Sequence, residues 1–379
     1  MKVTVQQQHL AHGLSMVSRA VSPRSTLPVL ANVLISTTDD GRLRLSATNL
    51  ELGISCWIPA TIAEPGDVTV PARTINDLVS ALPSELVHLT LNSRTQTLTV
   101  RWGTDNSTDI KGIDAREFPP IPVPELSEGV SLNAVDFKEM VQQVAFAASA
   151  DEARPVLQGV LMNINEHEIT LAATDGFRIS VRKATLSNPI QKALKIIIPA
   201  RALSELARVA SDGKEMLHMA IMPSRGQVIF HTKDVELASQ LIEGAYPDLE
   251  QVIPRSHRTR AVLSSTQFLK ACKQAEIFAR EGSHIARIHI TPGGSLEPGT
   301  VEISGQSEET GSNQTVLDAT IEGDELTIAF NVRFLREILD VIHTPNVVLE
   351  TNVDTTPGVL RPAGEDNFLH VIMPMHLGS

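Results

Sequence analysis

The sequence predicts an α+β protein built from three tandem copies of one domain, each with two helices packed on antiparallel sheets. The first observation is a repeated stretch. Ile198-Pro199-Ala200-Arg201-Ala202-Leu203-Ser204-Glu205-Leu206 recurs earlier as Val70-Pro71-Ala72-Arg73-Thr74-Ile75-Asn76-Asp77-Leu78. It recurs later as Phe330-Asn331-Val332-Arg333-Phe334-Leu335-Arg336-Glu337-Ile338. The second is its even spacing: 201 − 73 = 128 and 333 − 201 = 132. The third is length, since 379 residues with 42% apolar content leave each copy room for its own core. The expected domains are 1–125, 126–256 and 257–379.

Each copy opens with a strand and an amphipathic helix. The helical apolar positions are Leu10, Leu14 and Val17 in the first copy, and Phe137, Met140, Val141 and Val144 in the second. Phe268, Ala271, Cys272 and Ala275 fill them in the third. Leu132 to Leu263 and Phe137 to Phe268 are both 131 apart, so the register holds. Asn133 with Asp136 and Ser264 with Gln267 read as helix N-caps. A hairpin block follows. In the first copy it runs from Leu27-Pro28-Val29-Leu30 through Asp39-Asp40-Gly41 to Leu43–Asn49. In the second it runs from Arg154-Pro155-Val156-Leu157 to Ile169–Gly176, alternating with period two. The repeated stretch is then a strand running into a second helix, with Pro tolerated at the helix start.

Aromatic-proline segments close the first two copies, Phe118-Pro119-Pro120-Ile121-Pro122 and Tyr246-Pro247-Asp248, and the third ends in Met373-Pro374-Met375-His376-Leu377. Pro119–Pro124 and Pro254–Arg260 read as linkers, and Gly305–Asn313, rich in Ser, Glu and Gly, as a mobile loop.

Composition narrows the function. No run approaches the ~20 apolar residues of a membrane span, and the N-terminus lacks a signal-peptide core. Cys56 and Cys272 lie in different copies, which argues against a disulfide framework and for the cytoplasm. The net charge of −12 argues against a protein that coats nucleic acid with its whole surface, while leaving room for a local basic lining. No Walker A loop, GxGxxG fingerprint or GxSxG elbow is present, so no catalytic residue and no cofactor are expected. His9 and His12 share a helix face without acidic or cysteine companions, so no metal is expected. Thr174-Asp175-Gly176 reads as a turn after a strand. Aromatics at 3% are too few for base-stacking platforms. What stands out is an Arg at one repeat position, Arg73, Arg201 and Arg333, in an acidic protein.

Taken together, Thr26-Leu27-Pro28-Val29-Leu30-Ala31-Asn32, Val70-Pro71-Ala72-Arg73, Ala173-Thr174-Asp175-Gly176-Phe177-Arg178, Tyr246-Pro247-Asp248 and Met373-Pro374-Met375 resemble the bacterial DNA polymerase III beta subunits, the sliding clamps. The similarity runs in order through the whole chain. It implies a non-catalytic processivity factor of DNA replication, a head-to-tail homodimer closing six DNA-clamp domains into a ring around duplex DNA. It also implies the DNA polymerase III catalytic subunit, a clamp loader and other clamp-binding replication and repair proteins as partners. The arithmetic of such a ring works. Twelve lining helices at ~10 Å each make a circle of ~120 Å, with ~28 Å clear inside, whereas six would leave ~9 Å. A duplex is roughly 20 Å across.

By the same resemblance, DNA-facing positions are Arg24, Arg73, Arg154 and Arg201. A peptide-binding pocket is formed by Leu157, Thr174, Gly176, Phe177, Arg178, Ile179, Pro247, Val252, Phe334, Val371, Met373, Pro374, Met375 and Leu377. The subunit interface pairs Ile277 and Phe278 with Thr108 and Ile110 of another chain. Pro155-Val156 stands where some members carry two tyrosines. Ser80 and Gln251 replace basic residues, and His376 stands where many members have Arg. Two other classes fit the composition less closely: a cytosolic peptide-binding adaptor and a hydrolase with an unrecognised site.

Overall fold

The computed structural model describes residues 1–22, 27–122, 129–210, 215–222, 225–281, 283–294 and 297–376. Among them lie six α-helices, two per repeat: α1 Gln7–Val17, α2 Ala72–Ala81, α3 Ala134–Val144, α4 Ala200–Val209, α5 Ser265–Ala279 and α6 Val332–Leu339. The repeated stretch is a strand followed by α2, α4 or α6. Pro71 and Pro199 end the strand just before the helix begins. In the third copy Asn331 does that work differently, its side chain accepting from Arg333 N at 3.0 Å as an N-cap. Asn133 caps α3 in the same way, accepting from Val135 N and Asp136 N. Ser264 occupies the N-cap position of α5 but makes no side-chain capping bond.

The chain forms two compact units. The first holds Met1–Lys138 and Glu205–Leu241, the second Glu139–Ser204 and everything from Ile242 onward. Both divide the middle repeat, because its strands join neighbouring repeats edge to edge. In the first unit, an eight-stranded antiparallel sheet contains the pair Leu52–Pro59 and Val235–Gln240, which links the first repeat to the second. A five-stranded sheet ends in the strand Asn106–Lys111. In the second unit, a twelve-stranded sheet contains the pair Arg178–Thr185 and Phe368–Ile372, which links the second repeat to the third. We call these pairs the first and second junctions.

The helical periodicities point where expected. Leu10, Leu14 and Val17 are buried in the first unit, and Phe268, Ala271, Cys272 and Ala275 anchor a core of the second. Both cysteines are buried; burial pushes the Cys56 thiol up to about 11 and Cys272 higher still, so neither is a nucleophile at neutral pH.

Three segments differ from expectation. Gly305–Asn313 is the tip of a hairpin between strands Gly299–Ser307 and Gly311–Gly323, paired through Ser307 and Gly311. Its small residues serve packing: a Cβ on Gly305 would lie 2.4 Å from the Ala275 carbonyl oxygen of α5. Pro254–Arg260 is shorter than read, since Thr259 and Arg260 already belong to a strand. Of Pro119–Pro124, the described part is packed, Ile121 lying against a cluster of Val29, Leu30 and Phe118; Val123 and Pro124 fall outside the described residues.

Candidate functional site

The turn Thr174-Asp175-Gly176 sets the geometry of the second junction. Gly176 has φ +94°, a left-handed conformation that glycine adopts without strain. The Thr174 hydroxyl donates to Arg178 O at 2.6 Å and accepts from Gly176 N at 3.0 Å. Asp175 Oδ1 accepts from Phe177 N at 2.9 Å and Arg178 N at 3.1 Å. The expected turn is therefore an Asx-type turn closed by its own side chains. It presents Phe177 outward, 58% exposed. Tyr246 pins the turn from behind: its hydroxyl accepts from Thr174 N and donates to Gly159 O, each at 3.2 Å, and burial pushes its pKa up to about 12.

Arg178 is only 7% exposed. Its guanidinium bonds Asp175 at 3.0 Å, Phe146 O at 2.8 Å and, closely, the Glu337 carboxylate of α6. It lies over the Phe334 ring at 4.3 Å and the Phe146 ring at 5.3 Å. Burial alone would raise the pKa of Glu337, but hydrogen bonds from Arg178 and Arg333 outweigh it, and the net shift is downward. Arg178 thus spends its donors inside the protein and packs against the Phe334 ring.

The C-terminal segment completes the site. Met373 N donates to Phe177 O at 2.9 Å and Met375 N to Ala329 O at 2.8 Å, so the segment spans from the turn to the edge of strand Leu326–Asn331. Ile179 and Val371 are directly paired across the junction and share a buried cluster with Tyr246 and Leu249. Phe177, Val252 and Met373 are among the exposed large apolar side chains of the molecule. Thr174, Gly176, Phe177, Arg178, Ile179, Phe334, Val371, Met373 and Met375 are thus tied together, with Pro247 next to Tyr246. Leu157, partly buried, donates its N–H to Arg154 O, Pro374 sits partly buried between Met373 and Met375, and Leu377 lies outside the described residues. The supporting residues Tyr246, Asp175, Glu337 and Phe146 were not singled out from sequence as pocket residues. Asp175 sat inside the turn motif, and Glu337 is four residues after Arg333, the spacing of a helical ion pair.

The basic positions divide. Arg73 is 94% exposed on α2 and meets Asp77 at a loose 3.7 Å. Arg201 is exposed on α4. Arg154 is held by Asp151 at 3.0 Å and donates to Asp175 O at 3.0 Å, so it braces the turn as well as reaching solvent. Arg24 lies outside the described residues. Of the expected interface residues, Ile277 is 53% exposed, and Phe278 and Thr108 are half-buried. Ile110 is 4% exposed, its side chain turned into its own sheet.

Three family models match in sequence: the DNA polymerase III beta subunit N-terminal domain over residues 1–122, its central domain over 131–248 and its C-terminal domain over 250–376. The chain belongs to the DNA polymerase III beta subunit family. A beta sliding clamp of Synechococcus elongatus is 34% identical, the match covering 100% of each chain. Among solved structures, a Bacillus subtilis DNA polymerase sliding clamp superposes with TM-score 0.91 at 29% identity, covering 100% of both chains. A Pseudomonas aeruginosa sliding clamp bound to griselimycin gives TM-score 0.90 at 27% identity, again over 100% of both. The three-domain α+β clamp architecture agrees with these structures.

Proposed function

We propose that this chain is a processivity clamp of bacterial DNA replication, a non-catalytic subunit that closes as a head-to-tail homodimer around duplex DNA. Full-length membership of the sliding-clamp family is the observation that carries this reading. Its three clamp domains are 1–125, 126–256 and 257–379. Retention by topology reconciles a net charge of −12 with a DNA partner, because a ring needs only weak phosphate contacts and no base readout. Arg24, Arg73, Arg154 and Arg201 supply those contacts. A clamp loader opens and closes the ring.

Two open sheet edges support the dimer. Asn106–Lys111 is the last strand of its sheet. Strand Gly311–Gly323 pairs with Thr259–Ser264 only from Thr320 onward, which leaves its earlier residues with one partner strand among those described. Strand edges of this kind pair with another chain. On the second of these strands and on the helix packed against it stand Val316 and Ile277, 56% and 53% exposed, the two elements being bridged by the Thr315–Gln274 hydrogen bond. Ile110 then contributes main chain rather than side chain.

The second junction is the peptide pocket through which the DNA polymerase III catalytic subunit, the loader and repair proteins attach. Phe177, Val252, Met373 and Phe334 are its apolar anchors, and flexible Met suits several ligands. The deciding experiment is solution mass together with retention on DNA. The parent is expected as a dimer that, once loaded, stays on circular DNA and slides off linearised DNA. Ile277→Lys with Phe278→Glu should give a folded monomer, and an unchanged dimer mass would refute the interface.

A further inference from the structure

The pocket-forming turn occurs twice. In the first junction the Thr48 hydroxyl donates to Leu52 O and accepts from Leu50 N, and Asn49 Oδ1 accepts from Glu51 N and Leu52 N. These are the same four bonds that Thr174 and Asp175 make in the second junction. Leu50 takes the place of Gly176 with φ +76° against +94°. The strand pairing also matches. Gly53 faces Ala238 as Ile179 faces Val371, and Gln240 N bonds Glu51 O as Met373 N bonds Phe177 O. The closing aromatic-proline dipeptide is also repeated in sequence, Phe118-Pro119 in the first repeat and Tyr246-Pro247 in the second.

A cleft of about 180 Å³ opens there, with Gly53 and Ala238 on its floor, Pro119 to Pro122 as one wall, and Leu50 and Glu51 at its mouth. That volume is the size of one side chain, since a cavity of ~150 Å³ already takes benzene, and Thr48 and Gln227 line it beside the apolar wall. Leu50 is one of the exposed large apolar residues of the molecule. Glu51 is exposed and, among the described residues, has no ion-pair partner, and no basic residue lines the cleft.

We infer that the first junction is a second, weaker docking cleft for an extended peptide carrying one apolar anchor next to a basic residue. This rests on the peptide-docking reading of the second junction. The repeated turn supplies the same exposed backbone frame. Small floor residues make room for the anchor, and Glu51 complements a Lys or Arg beside it. The second junction, with Arg178 locked inside and a Met-bearing segment bonded alongside, remains the stronger site.

The test uses the full chain and a synthetic peptide, acetyl-Gln-Ala-Lys-Leu-Phe, followed by titration calorimetry. The parent is expected to bind two peptides per chain, one at least tenfold more weakly. Glu51→Lys should abolish the weak phase and leave the strong one. Gly53→Val, which fills the floor, should do the same. Its Cβ would sit 3.5 Å from Ile121, an ordinary contact. Removal of Met373–Ser379 should abolish the strong phase and leave the weak one. A single phase of one peptide per chain, or a weak phase untouched by both substitutions, overturns this inference and spares the pocket reading. A strong phase that survives removal of the C-terminal segment overturns the pocket reading instead.

Discussion

In the first junction Leu52–Pro59 pairs with Val235–Gln240; in the second, Arg178–Thr185 pairs with Phe368–Ile372. The backbone turn is shared, and the side chains assign charge oppositely. At the turn, the second junction buries Arg178 with two carboxylates where the first has Leu52. Further along the pairing, the first junction buries Glu236 opposite Ser55, where the second sets Leu369 opposite Val181. One junction is pinned at its turn by a buried ion network and carries the neutral Ser180–His370 pair in its strands; the other is apolar at its turn and buries a carboxylate, Glu236, in its strands. A repeated fold therefore fixes the hydrogen-bonded frame, and a few side chains decide which copy is rigid enough to anchor a site.

The largest expected effect comes from giving the second junction the first junction's residue. Arg178→Leu leaves Asp175 with its two backbone bonds but no ion-pair partner, and Glu337 with Arg333 alone. Breaking a buried pair by removing one partner costs about 3–5 kcal/mol. Urea unfolding should show this loss, and the Met373 amide should exchange faster with solvent. The parent also carries an acid-side signature. Because the folded-state pKa of Glu337 is lowered, its stabilisation is present above the unfolded value of about 4.3 and is lost as pH falls through the folded value. That acid loss should shrink in Arg178→Leu. An unchanged midpoint in urea would mean the network contributes nothing to the junction.

Next in size is Glu236. Burial pushes its pKa up to about 7, against a weaker opposing pull from Arg44, and its Oε1 has no hydrogen-bond partner. His231 lies 3.6 Å away, but burial lowers its own pKa, so it offers little positive charge at neutral pH. The sign follows from the raised carboxylate. The group favours the fold fully below its unfolded pKa of about 4.3, and that advantage is lost as pH rises to about 7. At about 1.36 kcal/mol per unit, the loss is on the order of 3 kcal/mol. Glu236→Gln should flatten stability between about pH 4.5 and 7 and gain about 2 kcal/mol at pH 7. Amide exchange resolves where: protection should rise in Val235–Gln240 and stay constant in Phe368–Ile372. Equal pH slopes in variant and parent would remove Glu236 from the comparison.

These contrasts also mark how far sequence could reach. The three-fold repeat, the six helices and the Thr174-Asp175-Gly176 turn were legible because each is encoded locally, by periodicity or by a residue bonding its own neighbours. The fate of Arg178 was not, because its partner Glu337 is 159 residues away and only the paired sheet brings them together. Gly305–Asn313 misled for a related reason. Its small polar residues look like a loop until Ala275 explains why one of them must be glycine. The first-junction cleft was hidden because Leu50 and Asn49 replace the Gly and Asp that make the second turn conspicuous, although the bonds they make are the same.

The smallest expected effect tests the aromatic before each closing proline, Tyr246 in the second repeat and Phe118 in the first. The Tyr246 hydroxyl is buried between Thr174 N and Gly159 O, with both bonds at 3.2 Å, the long end of the range. Tyr246→Phe keeps the ring and strands one donor and one acceptor. An unsatisfied buried group costs about 1–3 kcal/mol, and for bonds this long the lower end applies, so about 1–2 kcal/mol is expected. The loss should appear as faster exchange of the Thr174 amide and weaker peptide binding at the second junction, because the turn presenting Phe177 is no longer held from behind. Phe118→Tyr is the reciprocal change and should move the first junction by less than about 1 kcal/mol, since its turn closes through Thr48 and Asn49 without an aromatic hydroxyl. If Tyr246→Phe left Thr174 exchange unchanged, the turn would stand on its own four hydrogen bonds, and the rigidity separating the two junctions would rest on Arg178 alone.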